Sequence, residues 1–254
     1  MKFHKLHGTG NDFIFFDESL KEFQNLWEKK FGSRSRPEVV KEICTRQFSI
    51  GADGVVFLKQ IDKDNLEWDF YNSDGSSAEF CGNAARCAGW FGHNMLSMPA
   101  RHFLKTLCGV LAIENLNQDE VSVEISKAEW ISERIVNSGV PHFLCEVDQL
   151  EPVEQHLNLA RQHRHPKELD ARGANVTIVE NSSKDVKAAT YERGVEGFTL
   201  ACGSGAIAAG IYRMKETGSN ECGVTMPGGK LRIQAVQEKF RLIGPAAYVY
   251  GGLL

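Results

Sequence analysis

The sequence has no run approaching the ~20 consecutive apolar residues that a membrane-spanning helix needs. Its opening, Met1-Lys2-Phe3-His4-Lys5, leads into no apolar segment of the kind that marks a secretory signal, so none is expected. A surplus of positive charge is also missing. The 29 Lys and Arg stand against 33 Asp and Glu, a net charge of −4, which gives no electrostatic reason to expect nucleic acid or a membrane as partner. The seven cysteines are odd in number and have no zinc-type spacing. That pattern favours reduced thiols in a cytoplasmic protein over a disulfide framework, and no metal is expected. No Pro/Gly/Ser-rich linker divides the chain. What remains is an ordinary globular composition, in 254 residues that allow one or two domains with an ample core.

The chain does repeat itself. A slide of 121 positions lays Phe80-Cys81-Gly82-Asn83-Ala84-Ala85 over Ala201-Cys202-Gly203-Ser204-Gly205-Ala206. The same slide aligns Ala88 with Ala209 and Gly89 with Gly210. Each cysteine precedes a small-residue run that reads as a helix. After the first, Ala84, Ala85, Ala88, Phe91 and Met95 fall near helical spacing; after the second, Ile207, Ile211 and Met214 do. A thiol at a helix start feels unsatisfied N–H groups and the positive end of the dipole, which lower its pKa from ~8.5 toward neutrality. The adjacent glycine lets backbone amides close on an anion such as a carboxylate. Two such sites facing each other would place a thiol and a thiolate on opposite sides of one bound amino acid. Two inert buried cysteines are the plain alternative, and repetition of the whole motif argues against it.

In chain order, Gly8-Thr9-Gly10-Asn11-Asp12 leads into Phe13-Ile14-Phe15-Phe16, a strand rather than a helix. A dinucleotide fingerprint is therefore rejected in favour of a tight loop that aims Asn11 at a ligand. Residues 18–36 are polar and basic and read as an exposed excursion with solvated charges. Pro37 opens a helix to about Arg46, with Val39, Val40, Ile43 and Cys44 as its buried stripe. Strands are expected at 55–58, 68–71, 109–113 and 121–125. The turns Gly51-Ala52-Asp53-Gly54 and Asn72-Ser73-Asp74-Gly75 carry aspartates as turn formers. The second half then follows the same order. Gly139-Val140-Pro141-His142-Phe143 answers Gly10-Asn11-Asp12-Phe13, and Gly173-Ala174-Asn175-Val176 answers Gly51-Ala52-Asp53-Gly54. Arg193 answers Asn72, each nine residues before its cysteine, and Gly229 to Ile233 answers the strand at Gly109. Such anchors imply a duplicated domain. The expected fold is α+β: two pseudo-symmetric lobes, each a mostly antiparallel sheet or barrel wrapped around one central helix. Their bounds are 1–126, joined by 244–254, and 127–243. Cys87 reads as a packing residue, Cys44, Cys108, Cys145 and Cys222 as structural or incidental, and His163 and His165, among Arg161 and Arg164, as a solvated face.

The ordered set His7-Gly8-Thr9-Gly10-Asn11-Asp12-Phe13, Tyr71-Asn72-Ser73-Asp74-Gly75, Cys81-Gly82-Asn83-Ala84-Ala85-Arg86-Cys87, Pro141-His142, Tyr191-Glu192-Arg193-Gly194, Pro227-Gly228-Gly229 and Gly244-Pro245-Ala246 resembles the diaminopimelate epimerase family over essentially the full length. The resemblance implies a cofactor-independent enzyme that inverts one α-carbon of diaminopimelate in a cleft between two homologous lobes. It implies that Cys81 and Cys202 are the acid/base pair and that His142 and Glu192 support catalysis. Asn11, Asn72, Asn175, Glu192 and Arg193 would bind substrate, with the amides of Gly82, Asn83, Gly203 and Ser204 on the reacting carboxylate. Tyr250 matches a tyrosine of the family's dimer contact, which implies a homodimer.

Two departures stand out. Val140 occupies a position where the family commonly has asparagine, so one contact to the far end of the substrate is absent. An unpaired polar ligand group in a dry site costs roughly 1–3 kcal/mol. The 18–36 excursion is longer than the family pattern. A sister racemase acting on another amino acid is the nearest competing reading. A thiol redox or zinc module and a non-catalytic amino-acid binder are the readings from other classes.

Overall fold

The computed structural model describes residues 1–77, 80–125, 128–182 and 185–254. The chain divides into two compact units, Met1–Val123 with Pro245–Leu254, and Glu124–Gly244. The boundary expected between 126 and 127 falls outside the described residues.

The N-terminal unit begins with β1 (Lys2–Gly8) and β2 (Asn11–Asp17), followed by α1 (Phe23–Phe31) and α2 (Arg36–Cys44). It continues with β3 (Gly54–Gln60), β4 (Asn65–Asn72), α3 (Gly82–Met95), β5 (Arg101–Thr106), β6 (Gly109–Asn115) and β7 (Glu120–Ile125). The second unit holds β8 (Glu129–Trp130), β9 (Ile135–Asn137), β10 (Pro141–Glu146), α4 (Leu157–His163), β11 (Asn175–Ser182) and β12 (Asp185–Glu192). After these come β13 (Gly197–Phe198), α5 (Gly203–Thr217), β14 (Glu221–Met226), β15 (Gly229–Val236) and β16 (Lys239–Pro245). The last strand, β17 (Ala247–Leu253), belongs to the first unit and pairs antiparallel with β1, Lys2 opposite Leu253.

The two units share one pairing scheme. In the first, β1–β2 is antiparallel, β2–β3 parallel, β3–β4 antiparallel, β4–β5 parallel, and β5–β6 and β6–β7 antiparallel. In the second, β9–β10, β10–β11, β11–β12, β12–β14, β14–β15 and β15–β16 run through the same sequence of senses. Antiparallel pairs predominate, as expected, but each sheet is mixed, with two parallel steps.

Each sheet curves about its helix. Strands β1, β2, β3, β5 and β6 touch α3, and β10, β11, β12, β14 and β15 touch α5. Small residues make that approach possible. A Cβ on Gly89 would collide with Ile113 of β6, and one on its repeat mate Gly210 would collide with Ile233 of β15. Ile207, Ile211 and Met214 are buried on α5, and Ala84, Ala85, Ala88 and Phe91 on α3. Met95 departs from the expected stripe: it ends α3 beyond the sheet and is exposed.

Residues 18–36 keep most of their charges exposed, as expected, but they are not an unpacked excursion. They form α1, whose Phe23, Trp27 and Phe31 are buried against Phe16 and Phe57. Their spacing of four places all three on one helical face, so an apolar stripe runs through an otherwise basic segment. Arg36 completes the cover, lying 4.3 Å over the Phe57 ring and pairing with Glu18 and Asp69. The α2 stripe of Val39, Val40, Ile43 and Cys44 joins the same core.

Candidate active site

In the N-terminal unit, Cys81 immediately precedes α3 in extended backbone, and its carbonyl accepts the N–H of Ala85 at 2.9 Å. Gly82 and Asn83 are the first helical residues, so their N–H groups point out of the positive helix end. Asn11, the first residue of β2, reaches this point from the other side. Its Oδ1 accepts from Asn83 Nδ2 at 3.0 Å and lies 3.8 Å from Cys81 Sγ, and its Nδ2 donates to Asp53 at 2.7 Å.

A charged set supports Asn11 from behind. Arg46 donates to Asp53 at 2.8 Å and to both oxygens of Asp12 at 2.6 and 3.1 Å, and buried Lys5 pairs with Asp12 at 2.8 Å. Burial opposes the Asp12 charge, but hydrogen bonds from Arg46 and Lys5 prevail and hold its carboxyl down at about 2. A carboxyl depressed in the folded state contributes stability that is full above its unfolded pKa, near 4, and is lost as pH falls through 2. The expected result is about 2 kcal/mol of acid destabilisation between pH 4 and 2 in the wild type that Asp12→Asn lacks, read by denaturant unfolding at each pH. Parallel pH dependences in the two proteins would refute it. Asp53 is thus more than a turn former, whereas Asp74 fills that role by accepting the N–H of Ser76 at 2.8 Å. Asn72 ends β4 opposite Gly54, with its amide donating to Ser76 Oγ at 3.1 Å in its own turn.

The second unit builds a different neighbourhood at the matching place. Cys202 precedes α5, is buried, and has its Sγ 3.4 Å from Ser204 Oγ. Ser204 Oγ lies 2.9 Å from Nε2 of His142, a fully buried residue of β10. The tautomer follows from the partners. Arg193 N–H donates to Asn175 Oδ1 at 2.8 Å, which turns Asn175 Nδ2 toward His142 Nε2 at 3.3 Å as a donor. Nε2 is therefore the acceptor, and Nδ1–H donates to Thr177 Oγ1 at 2.9 Å, itself 3.1 Å from Thr190 Oγ1. Burial, reinforced by the Arg193 charge, draws the imidazole down to about 3, so it is neutral near pH 7. With the Ser204 hydroxyl donating to Nε2, its oxygen presents a lone pair to Cys202. Ser138 Oγ donates to the Ser204 carbonyl at 2.8 Å and pins the first turn of α5.

Within its own unit, the fold therefore gathers Asn11, Asn83 and Cys81 into one hydrogen-bonded group, and His142, Asn175, Arg193, Ser204 and Cys202 into another. Glu192 accepts the Thr199 hydroxyl. Val140 is half-buried, with its carbonyl accepting Ser138 N–H at 3.2 Å. Tyr250 lies on β17, edge-on to Phe3 at 5.9 Å.

The charged stretch near His163 is only partly solvated. Arg164 is buried and holds Glu196 at 2.9 Å and the Arg172 carbonyl at 2.7 Å, while the His163 ring stacks on Phe143 at 4.4 Å. The helical run around residue 160 turns Arg164 inward, beneath the Arg193 turn that Glu196 braces through Gly194 N–H at 3.0 Å. Lys5, Arg46, Arg86, Thr177 and Thr190 were not singled out by sequence. Each contacts a motif residue that lies far from it in the chain or is an isolated polar residue, so no local pattern marks it. Among the described residues, no helix is long and apolar enough to cross a membrane, and no group of three or more potential metal ligands gathers.

Comparison with known proteins bears on this arrangement. A family profile described as diaminopimelate epimerase matches residues 3–131 and 134–249. A diaminopimelate epimerase of Methanocella arvoryzae is 33% identical, covering 99% of this chain and 96% of its own length. One from Aquifex aeolicus is 35% identical, covering 83% of this chain and 80% of its own. The fold is shared with a solved phenazine biosynthesis protein of the PhzF family from Enterococcus faecalis, at a TM-score of 0.70 and 13% identity, covering 99% of this chain and 97% of that one. The chain belongs to the diaminopimelate epimerase family.

Proposed function

We propose that Cys81 and Cys202 are the base and acid of a two-base inversion at one α-carbon of LL-diaminopimelate, giving the meso isomer used in lysine and peptidoglycan-precursor synthesis. The observation that carries this reading is the pair of thiols, each at the start of the central helix of its own unit and each beside a polar residue oriented by further hydrogen bonds. An α-hydrogen is a very weak acid and a thiolate only a modest base. The barrier therefore falls chiefly because charge developing on the carboxylate meets preorganised donors. The amides of Gly82, Asn83, Gly203 and Ser204 have the helix-start placement that suits this role. One thiolate takes the proton, and the other thiol delivers its own to the opposite face.

In this reading Asn11, Asn72, Asn175, Glu192 and Arg193 hold the substrate, with Arg193 offering a charge-assisted contact to its distal carboxylate. His142 acts through Ser204, and Glu192 supports the Cys202 side. The lobes are duplicated units bounded at 126/127, with 244–254 returning to the first. No cofactor enters the reaction, neither nucleic acid nor a membrane is a partner, and the protein works in the cytoplasm. Tyr250 contributes to a homodimer contact, supported by the exposed Tyr248, Val249 and Leu253 beside it on β17.

Val140 keeps a sister racemase as the second reading, since its side chain offers no hydrogen bond. Incubation in heavy water with LL-diaminopimelate and a panel of L-amino acids separates the two. The expected result is deuterium on the α-carbon of meso-diaminopimelate and none on the panel. Exchange confined to another amino acid would transfer the assignment to the sister racemase, and no exchange with any substrate would reduce the protein to a binder.

A further inference from the structure

Arg86 is completely buried on α3. Its guanidinium donates to Asn83 Oδ1 at 2.8 Å, Thr9 Oγ1 at 3.1 Å, and the carbonyls of Gly82 and Pro245, both at 3.3 Å. All four acceptors are neutral, and among the described residues no carboxylate joins them. A buried cation with only neutral partners is costly unless an anion is nearby. Burial draws this guanidinium down to about 10, with the neighbouring Cys87 and Cys81 opposing the fall.

Among the described residues, the surrounding ionisable groups leave one candidate for that anion. His4 of β1 and His102 of β5 meet α3 at its far end, at Phe91 and Gly92. Asp12 of β2, Asp53, Arg46 and Lys5 pair among themselves, and Asn11 stands between them and Cys81. On β6, Ile113 faces Gly89, so alternation turns Glu114 away. On β3, Val55 and Phe57 belong to the α1 core, which leaves Val56 and Leu58 for the α3 side. Cys87 follows Arg86 in the helix, and Cys81 is linked to the guanidinium through Asn11 and Asn83. Cys87 is fully buried, which pushes its thiol far above the usual range and keeps it protonated.

The repeat makes the contrast plain. A slide of 121 positions puts buried, apolar Ile207 where Arg86 stands, and Cys202 faces a hydroxyl tied to a neutral imidazole. We propose that Arg86 is the counter-charge of the Cys81 thiolate, a positioning residue that makes Cys81 the thiol that ionises in the resting enzyme, in which Cys202 is protonated. The inference rests on the two-thiol reading and adds an asymmetry to it. After each turnover the proton that Cys81 has taken leaves to solvent, Cys202 regains one from solvent, and the Cys81 sulfur anion remains paired with the guanidinium. The full charge of the guanidinium outweighs the long S–H···O contact from Cys81 to Asn11. The free enzyme is thereby poised for the stereoisomer whose α-hydrogen faces Cys81.

The test is the pH dependence of carbamidomethylation by iodoacetamide, read at each cysteine by peptide mass mapping in wild type, Arg86→Lys and Arg86→Gln. It needs no turnover, so its outcome is independent of whether both thiols are catalytic. Wild-type Cys81 should react at lower pH than Cys202. Arg86→Lys should leave the Cys81 profile in place. Arg86→Gln should move it up by about one pH unit or more, slowing Cys81 about tenfold near neutrality without moving Cys202. An unmoved Cys81 in Arg86→Gln, equal shifts at both cysteines, or equal shifts in the Lys and Gln variants would overturn the proposal. Should Arg86→Gln not fold, the wild type decides: Cys202 ionising at or below the pH of Cys81 overturns it.

Discussion

Replacing either Cys81 or Cys202 by alanine should lower the rate of inversion by roughly 10³-fold or more, the range that loss of a positioned acid or base produces. The two substitutions should be similar in size, because each removes one half of a single proton exchange. A lone thiol returns a proton only to the face it came from. Any residual deuterium incorporation in either variant should therefore occur without change of configuration. Substrate binding should weaken far less than turnover, since the amides at the helix starts and the Asn and Arg side chains remain. Measuring inversion and isotope exchange on the same samples checks both statements. Near-normal inversion in either variant would refute the two-thiol mechanism.

The largest expected effect on stability is at Trp27. Its ring packs 4.6 Å from Phe31 and 5.4 Å from Phe57, with Phe16 and Phe23 close around it. Removing a buried aromatic of this size loses its transfer free energy and leaves a cavity that rigid neighbouring rings cannot refill. Trp27→Ala should therefore destabilise the protein by about 3–5 kcal/mol, lowering the denaturation midpoint at unchanged slope. An exposed excursion at 18–36 would give a change within about 0.5 kcal/mol, and that result would refute the packing described for α1.

That contrast also shows why some of the fold was legible in sequence and some was not. Cys81 and Cys202, with their glycines, alanines and flanking turns, were legible because the chain states them twice at a fixed offset, and a duplicated local pattern needs no long-range information. The α2 stripe was legible for a similar reason, since Pro37 marks its start. Helix α1 was hidden because Phe23, Trp27 and Phe31 are only three residues in a segment whose average is basic, and only their spacing carries the signal. The parallel steps β2–β3 and β10–β11 were hidden because strand sense depends on a partner many residues away. Arg86 was hidden for a third reason. A single arginine in an alanine-rich helix reads as a surface charge until Thr9, Asn83 and Pro245 are seen to enclose it.

The pairing of β17 with β1 has a consequence for biosynthesis. The ribosome makes β1 early and β17 late, so the outer edge of β1 stays uncovered while all of Glu124–Gly244 is translated. The contiguous unit has its whole sequence first, although the interrupted one was begun before it. Order of birth and order of completion are thus reversed, and a nascent chain arrested before β17 leaves the earlier-born half unfinished.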